Sequence, residues 1–231
     1  MVIRGRHIID LYKILCLPYC LCLLFIYEQR DNVTMWIYTA LHGSYGLTWC
    51  IKSLVFPDKN FEFPMSTGMI LFSIVSLSIY WITPYLIASR GIDTSAVNLC
   101  IGVFFHTIGV FFVYVSDMQK TIMLERKPEL ITDRMFALCR NPNYFGEFMI
   151  YLAFTVLTGC AWPALLITVW QFFLFMSSIS NKEKSLARYE KWESYANKTN
   201  KFVPNPKVLL EMRSIQNKLQ HEAEKASSKN D

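Results

Sequence analysis

The amino-acid sequence predicts an all-α integral membrane protein of about six transmembrane helices, with a C-terminal helical hairpin and an interfacial helix after it. Three observations carry this. Hydrophobic residues make up 53% of the 231 residues, and mean hydropathy is +0.26; a soluble domain is usually about 45–50% apolar even counting glycine. Six apolar segments stand out, at 13–27, 33–55, 65–88, 94–115, 144–160 and 162–179. Lastly, the basic residues sort by side. With the N-terminus in the cytosol, only Arg30 and Arg90 of the 23 Lys and Arg fall on the far side. The positive-inside rule asks for that bias, and a wrong span count would send a basic loop outside. Both termini are therefore expected in the cytosol.

The first segment follows Arg4, Arg6 and Lys13 and looks like a secretion signal. It ends in Tyr27-Glu-Gln-Arg30 rather than a small-residue cleavage site, so it reads as a retained span. The second, third and fourth segments meet the requirement of about 20 residues for one crossing. The last two are shorter, and Cys160-Ala-Trp-Pro163 separates them. As one helix, 144–179 would greatly overshoot a bilayer at about 1.5 Å per residue, so two spans in a tight hairpin are preferred.

Residues 181–204 alternate in charge around Leu186, Tyr189, Trp192 and Tyr195, a stripe expected on an amphipathic interfacial helix. Leu209, Leu210, Met212, Ile215 and Leu219 suggest a further helix, and Lys225–Asp231 reads as disordered. The chain divides into N-terminal spans (1–93), a C-terminal membrane domain (94–204) and a charged cytosolic tail (205–231). The sequons at Asn32 and Asn197 are not expected to carry glycan: one hugs the membrane and the other is cytosolic. Seven cysteines form no metal-binding spacing and read as small buried hydrophobes. No metal site and no nucleic-acid partner is expected.

Chemistry concentrates in a few places. Asn141 before Pro142 is a helix start, Asn capping and Pro taking the first turn. That leaves Arg140, Asn143, Tyr144 and Glu147 unexplained; they share one helical face beside a helix N-terminus, which suits an anion. Glu147 needs a partner, either Arg140 or a ligand. Asp117-Met-Gln-Lys120 adds an acid and a cation near the same mouth, and Glu183, Lys184, Arg188 and Tyr195 approach from the other side. In the second span His42, Tyr45 and Trp49 share a face, with Lys52 a turn on; His106 lies between Gly102 and Gly109 in the fourth. Polar groups at that depth either bond across helices or line a lipid cavity, where Tyr45 or His42 could donate a proton.

Arg140-Asn-Pro-Asn-Tyr-Phe-Gly-Glu147 resembles the Arg-His-Pro-x-Tyr-x-Gly signature of sterol reductases, steroid 5α-reductase-like proteins and isoprenylcysteine carboxyl methyltransferases. Glu183, Lys191-Trp-Glu-Ser-Tyr195 and Thr199-Asn-Lys-Phe-Val-Pro204 are similar to the second signature of that superfamily. Asp117-Met-Gln-Lys120 looks like an element of its uncharacterised branch nearest the steroid 5α-reductases. The match covers about 110–204, and Asn141 departs from it where the family usually has His. The resemblance implies residence in the endoplasmic reticulum and a lipid substrate entering from the bilayer. It also implies a cofactor held by Asp117, Lys120, Arg140, Asn143, Tyr144, Glu147, Glu183, Lys184, Arg188 and Tyr195. NADPH is the cofactor of the reductases, S-adenosylmethionine that of the methyltransferases. The cations favour NADPH, whose phosphates need them. The expected activity is then reduction of a carbon–carbon double bond in a sterol, steroid or related lipid, with Tyr45, His42 or Tyr144 as proton donor. A membrane methyltransferase, or a protein keeping the fold without chemistry, is the alternative.

Overall fold

The computed structural model describes residues 3–211, so Met212, Ile215, Leu219 and the Lys225–Asp231 stretch lie outside the described residues. The described chain is helix and loop: α1 (Gly5–Ile26), α2 (Val33–Val55), α3 (Thr67–Ser78), α4 (Ile82–Arg90), α5 (Ala96–Arg126), α6 (Met135–Leu138), α7 (Pro142–Leu157), α8 (Trp162–Leu186) and α9 (Trp192–Lys198). Local chemistry sets several ends. Asn32, Ser66 and Ser95 accept from the backbone N–H groups of Met35, Met69 and Asn98, capping α2, α3 and α5. Pro142 and Pro163 sit in first turns, where the missing N–H is harmless. Gly91 ends α4 at φ 57°, a conformation that favours glycine.

Among the described residues, four helical stretches are long and apolar enough to cross a membrane: α1, the α3–α4 pair, α5 and α8. α7 has only 16 residues. α2 has 23, but His, Tyr, Thr, Gly and Lys dilute its apolar content. Three helices outrun their apolar segments. α1 begins at Gly5, which puts Lys13 inside the helix rather than ahead of it; α5 runs on past Asp117 and Lys120; α8 carries Lys182 to Leu186. No Gly or Pro interrupts these extensions, so helical hydrogen bonding continues through them. The expected interfacial helix over 181–204 is broken. Residues 187–191 turn, and only Trp192–Lys198 resume the helix. The stripe still faces inward, with Tyr195 buried and Leu186, Tyr189 and Trp192 half-buried.

α5 lies along α7 at glycine contacts. A Cβ added to Gly109 would stand 2.6 Å from the Gly146 carbonyl oxygen, and one on Gly146 equally close to that of Gly109. α1 crosses α2 where Gly46 meets the Lys13 carbonyl. One core joins Leu24, Tyr38, Ile87, Val113, Ile150 and Phe175, spanning both sides of residue 93. A smaller cluster of Ile131, Met135, Phe136 and Leu138 sits under the loop before α7. All seven cysteines are free thiols. Cys16, Cys20 and Cys139 are buried as expected, whereas Cys22, Cys100 and Cys160 are exposed. An apolar helix in a membrane protein turns one face to lipid, so hydrophobic and buried are different properties there.

Candidate functional site

A cavity of about 390 Å³ opens at the basic end of the bundle. Lys120 and Leu124 enter it from α5, Asn143 and Tyr144 from the first turn of α7, and Lys182, Ser185 and Leu186 from the end of α8. Arg188 and Tyr189 come from the turn after α8 and Tyr195 from α9, while Arg140 and Phe136 close the remaining side. A more open hollow of about 460 Å³ shares Glu129, Leu130 and Tyr189 with it and adds Asp133, Glu190 and Lys191.

Arg140 holds this region together. Its Nε donates to Glu183 Oε1 at 2.7 Å, its guanidinium reaches the carbonyls of Ala196 and Thr199, and its backbone N–H donates to Asn200. Glu183 also attracts Lys201 at 3.6 Å. The Tyr195 hydroxyl donates to the Phe136 carbonyl at 2.7 Å. Burial pushes the Tyr195 phenol above its ordinary range, with Cys139 acting in the same direction. α9 is therefore tied to the loop before α7 from both sides. Asn141 precedes α7 as expected but does not cap it with its side chain. Fully buried, it donates to the Lys201 carbonyl at 2.9 Å and accepts from Lys182 Nζ at 3.0 Å.

The other wall groups are less committed. Lys182 stands over the rings of Phe136 and Tyr144. Arg188 stacks on Tyr189 at 5.0 Å and donates to Ser185. Lys120 pairs with Asp58 at 2.8 Å. Asn143 Oδ1 is buried with no hydrogen-bond partner among the described residues. A buried acceptor left alone is costly and calls for a water or a ligand group.

Of the residues expected at a cofactor, Lys120, Arg140, Asn143, Tyr144, Arg188 and Tyr195 thus share one wall. Glu183 sits behind Arg140, and Lys184 points away, exposed. Asp117 is drawn off by Lys52, 2.7 Å distant and equally buried. Glu147 does not meet Arg140, because Arg140 precedes the helix and turns to Glu183. Its carboxylate instead lies in the bundle among the charges of Lys13, Asp117 and Lys52. Lys182 was not singled out from the sequence; its spacing of three residues from Ser185 and six from Arg188 was the available signal.

The expected proton donors divide. Tyr144 lines the cavity. His42 is buried and bonded on both ring nitrogens, 2.8 Å from the Tyr38 hydroxyl and 3.3 Å from Cys16 Sγ. Tyr45 is 1% exposed, its hydroxyl has no partner among the described residues, and Lys13 stands 4.1 Å over its ring. His106 Nε2 is buried and has no hydrogen-bond partner among them either.

No curated protein and no solved structure matches the chain. A family model described as a protein of unknown function (DUF1295) matches residues 19–200, well over half of the sequence. That family is associated with steroid 5α-reductase-like proteins. The match takes in both the basic cavity and most of the bundle beneath it, and the chain belongs to the DUF1295 family.

Proposed function

We propose that this chain is a six-span enzyme of the endoplasmic reticulum membrane, both termini cytosolic and α7–α8 forming a hairpin, that reduces a carbon–carbon double bond of a sterol, steroid or related lipid with NADPH. One observation carries the reading: the basic cavity gathers Lys120, Lys182, Arg188 and Arg140 around three tyrosines and an orphaned Asn143 acceptor. Cations suit a pyrophosphate and a 2′-phosphate. Aromatic faces suit planar rings, and Asn143 Oδ1 suits an amide N–H or a ribose hydroxyl. NADPH, when bound, supplies the hydride.

Lys182, Lys120 and Arg188 would hold the phosphates, and Tyr144 and Tyr189 would orient the rings. Arg140, already bonded to Glu183 and two carbonyls, fixes the wall. Tyr144 lies between the cavity and the bundle core, tilted 5.2 Å from Phe175. It is the proton donor that this reading places nearest both ligands, while Tyr45 would stabilise the deeper, lipid side.

Thermal unfolding of the purified protein in detergent tests this. A ligand at about a hundred times its Kd adds about 2.7 kcal/mol of stability. NADPH should therefore raise the melting temperature, and Arg188→Ala should weaken that response. Stabilisation by S-adenosylmethionine alone would replace the reductase with a methyltransferase; stabilisation by neither would remove the enzymatic reading.

A further inference from the structure

Lys52, Lys120 and Arg140 each end on a carboxylate, those of Asp117, Asp58 and Glu183, at 2.7, 2.8 and 2.7 Å. Lys182 does not. Half-buried in the cavity wall, it makes no ion pair among the described residues. Its hydrogen bond is to a neutral group, Asn141 Oδ1 at 3.0 Å, and its ammonium otherwise stands over the rings of Phe136 and Tyr144, 5.7 and 6.0 Å from their centres. Arg188 has no ion pair among the described residues either, but it is exposed and water solvates it. A cation drawn partly out of water without an opposite charge is unfavourable. An ammonium has three donors, and Asn141 takes only one of them.

Asn141 is placed to hold this lysine without neutralising it. Its side chain is fully buried, and Nδ2 donates to the Lys201 carbonyl at 2.9 Å while Oδ1 accepts from Lys182. Lysine only donates and a carbonyl only accepts, so the amide fits one way round. An aspartate here would grip Lys182 as well but would cancel its charge. The neutral amide fixes the ammonium and leaves the charge for a ligand. The surroundings suit an anion. The first-turn N–H groups of α7 have no partner within the helix, and Asn143 and Tyr144 of that turn line the same cavity as Lys182.

We propose that Asn141 is a positioning residue: it holds the Lys182 ammonium beside the start of α7, where Lys182 takes one phosphate group of a nucleotide bound in the cavity. Asn141 touches no ligand and acts only through Lys182. This rests on the cavity being a nucleotide site, as the reductase reading has it, and adds what fixes the place of a phosphate there. Two substitutions separate the hydrogen bond from the shape. Leucine matches asparagine in size but accepts nothing from Lys182. A neutral imidazole accepts on one nitrogen and donates from the other, so histidine can serve both Lys182 and the Lys201 carbonyl.

The test is calorimetric titration of the purified full chain in detergent, at pH 8 and fixed ionic strength, with NADPH and separately with inorganic pyrophosphate. Lys182→Met should weaken binding by about tenfold or more, as loss of a hydrogen bond from a charged group does, and Asn141→Leu by about fivefold. Asn141→His should retain most of the affinity. The deciding arm is the double variant. If Asn141 acts through Lys182, adding Asn141→Leu to Lys182→Met costs no further affinity, whereas a merely structural role for Asn141 would add its full loss in that background. Where Asn141→Leu does not fold, Asn141→Ser, whose hydroxyl is one atom shorter than the amide oxygen, carries the same comparison. Additive losses, or wild-type affinity in Lys182→Met, overturn the proposal while NADPH binding by the wild type keeps the cofactor reading. Pyrophosphate binding without NADPH binding removes the cofactor reading and leaves Asn141 to be judged on pyrophosphate. A wild-type chain that binds neither overturns both.

Discussion

Arg140 and Glu183 meet at 2.7 Å with side chains only 12% and 15% exposed, and through them the end of α8 holds α9 against the loop that starts α7. Removing one partner of a buried ion pair strands the other, typically at about 3–5 kcal/mol. Glu183→Ala should therefore lower stability by an amount of that order, and Arg140→Lys should not be conservative. Lysine cannot reach Glu183 and the carbonyls of Ala196 and Thr199 at once. Limited proteolysis checks it: cleavage should appear first between 187 and 200, before the membrane helices unfold.

The α5–α7 crossing predicts a contrast among glycines. Gly109→Ala and Gly146→Ala each force a Cβ to 2.6 Å from a backbone carbonyl oxygen, which cannot move aside alone. Overpacking of this kind costs about 1–3 kcal/mol. Gly68 in α3 has nothing among the described residues within 4 Å of an added Cβ, so Gly68→Ala should be neutral or stabilising by up to about 1 kcal/mol. Unfolding by dodecyl sulfate in mixed micelles would rank the three; equal effects would mean that the helices do not cross at these glycines.

The helices themselves were legible in the sequence because apolar length and Ser, Asn and Pro end signals are local. The break at 187–191 was not. Ala-Arg-Tyr-Glu-Lys is a good helical sequence, and the chain turns there because Arg140 and Tyr195 pull α9 aside, a tertiary effect with no local mark. The site was half legible. Residue types near a helix start pointed to Arg140, Asn143 and Tyr144, but which acid each cation takes depends on helix rotation. Hence Arg140 chose Glu183 and Asp117 chose Lys52, and Glu147 was left without Arg140.

Lys52 and Asp117 give a further prediction. They are 7% and 10% exposed and 2.7 Å apart, with Lys52 also 4.9 Å from the Trp49 ring. Asp117→Asn alone should destabilise by about 3–5 kcal/mol. Adding Lys52→Met should recover much of that, since an apolar pair leaves no uncompensated charge. A double-mutant cycle measures the coupling. Additive losses would show that the two groups do not act as a pair.

Cys139 supplies the pH dependence. It lies outside the membrane helices, fully buried, and burial pushes its thiol up to about 11, partly offset by an Asn141 backbone bond, Lys182 and Arg140. An unfolded thiol titrates near about 8.5. The folded state therefore keeps its proton where the unfolded state loses it, and the unfolded state gains from ionising. This contribution is fully present below about pH 8.5 and is lost as pH rises towards 11, at up to about 1.4 kcal/mol per pH unit. Comparing wild type with Cys139→Ala removes the background from other alkaline groups: the wild type should lose more stability than the variant between pH 8.5 and 11, and below pH 8 the gap between them should be constant. A wild-type curve parallel to that of Cys139→Ala throughout would place this thiol in water rather than in the wall behind Arg140. In the folded protein at pH 7.5 the same burial should keep Cys139 unreactive to maleimide in detergent while the exposed Cys22, Cys100 and Cys160 react.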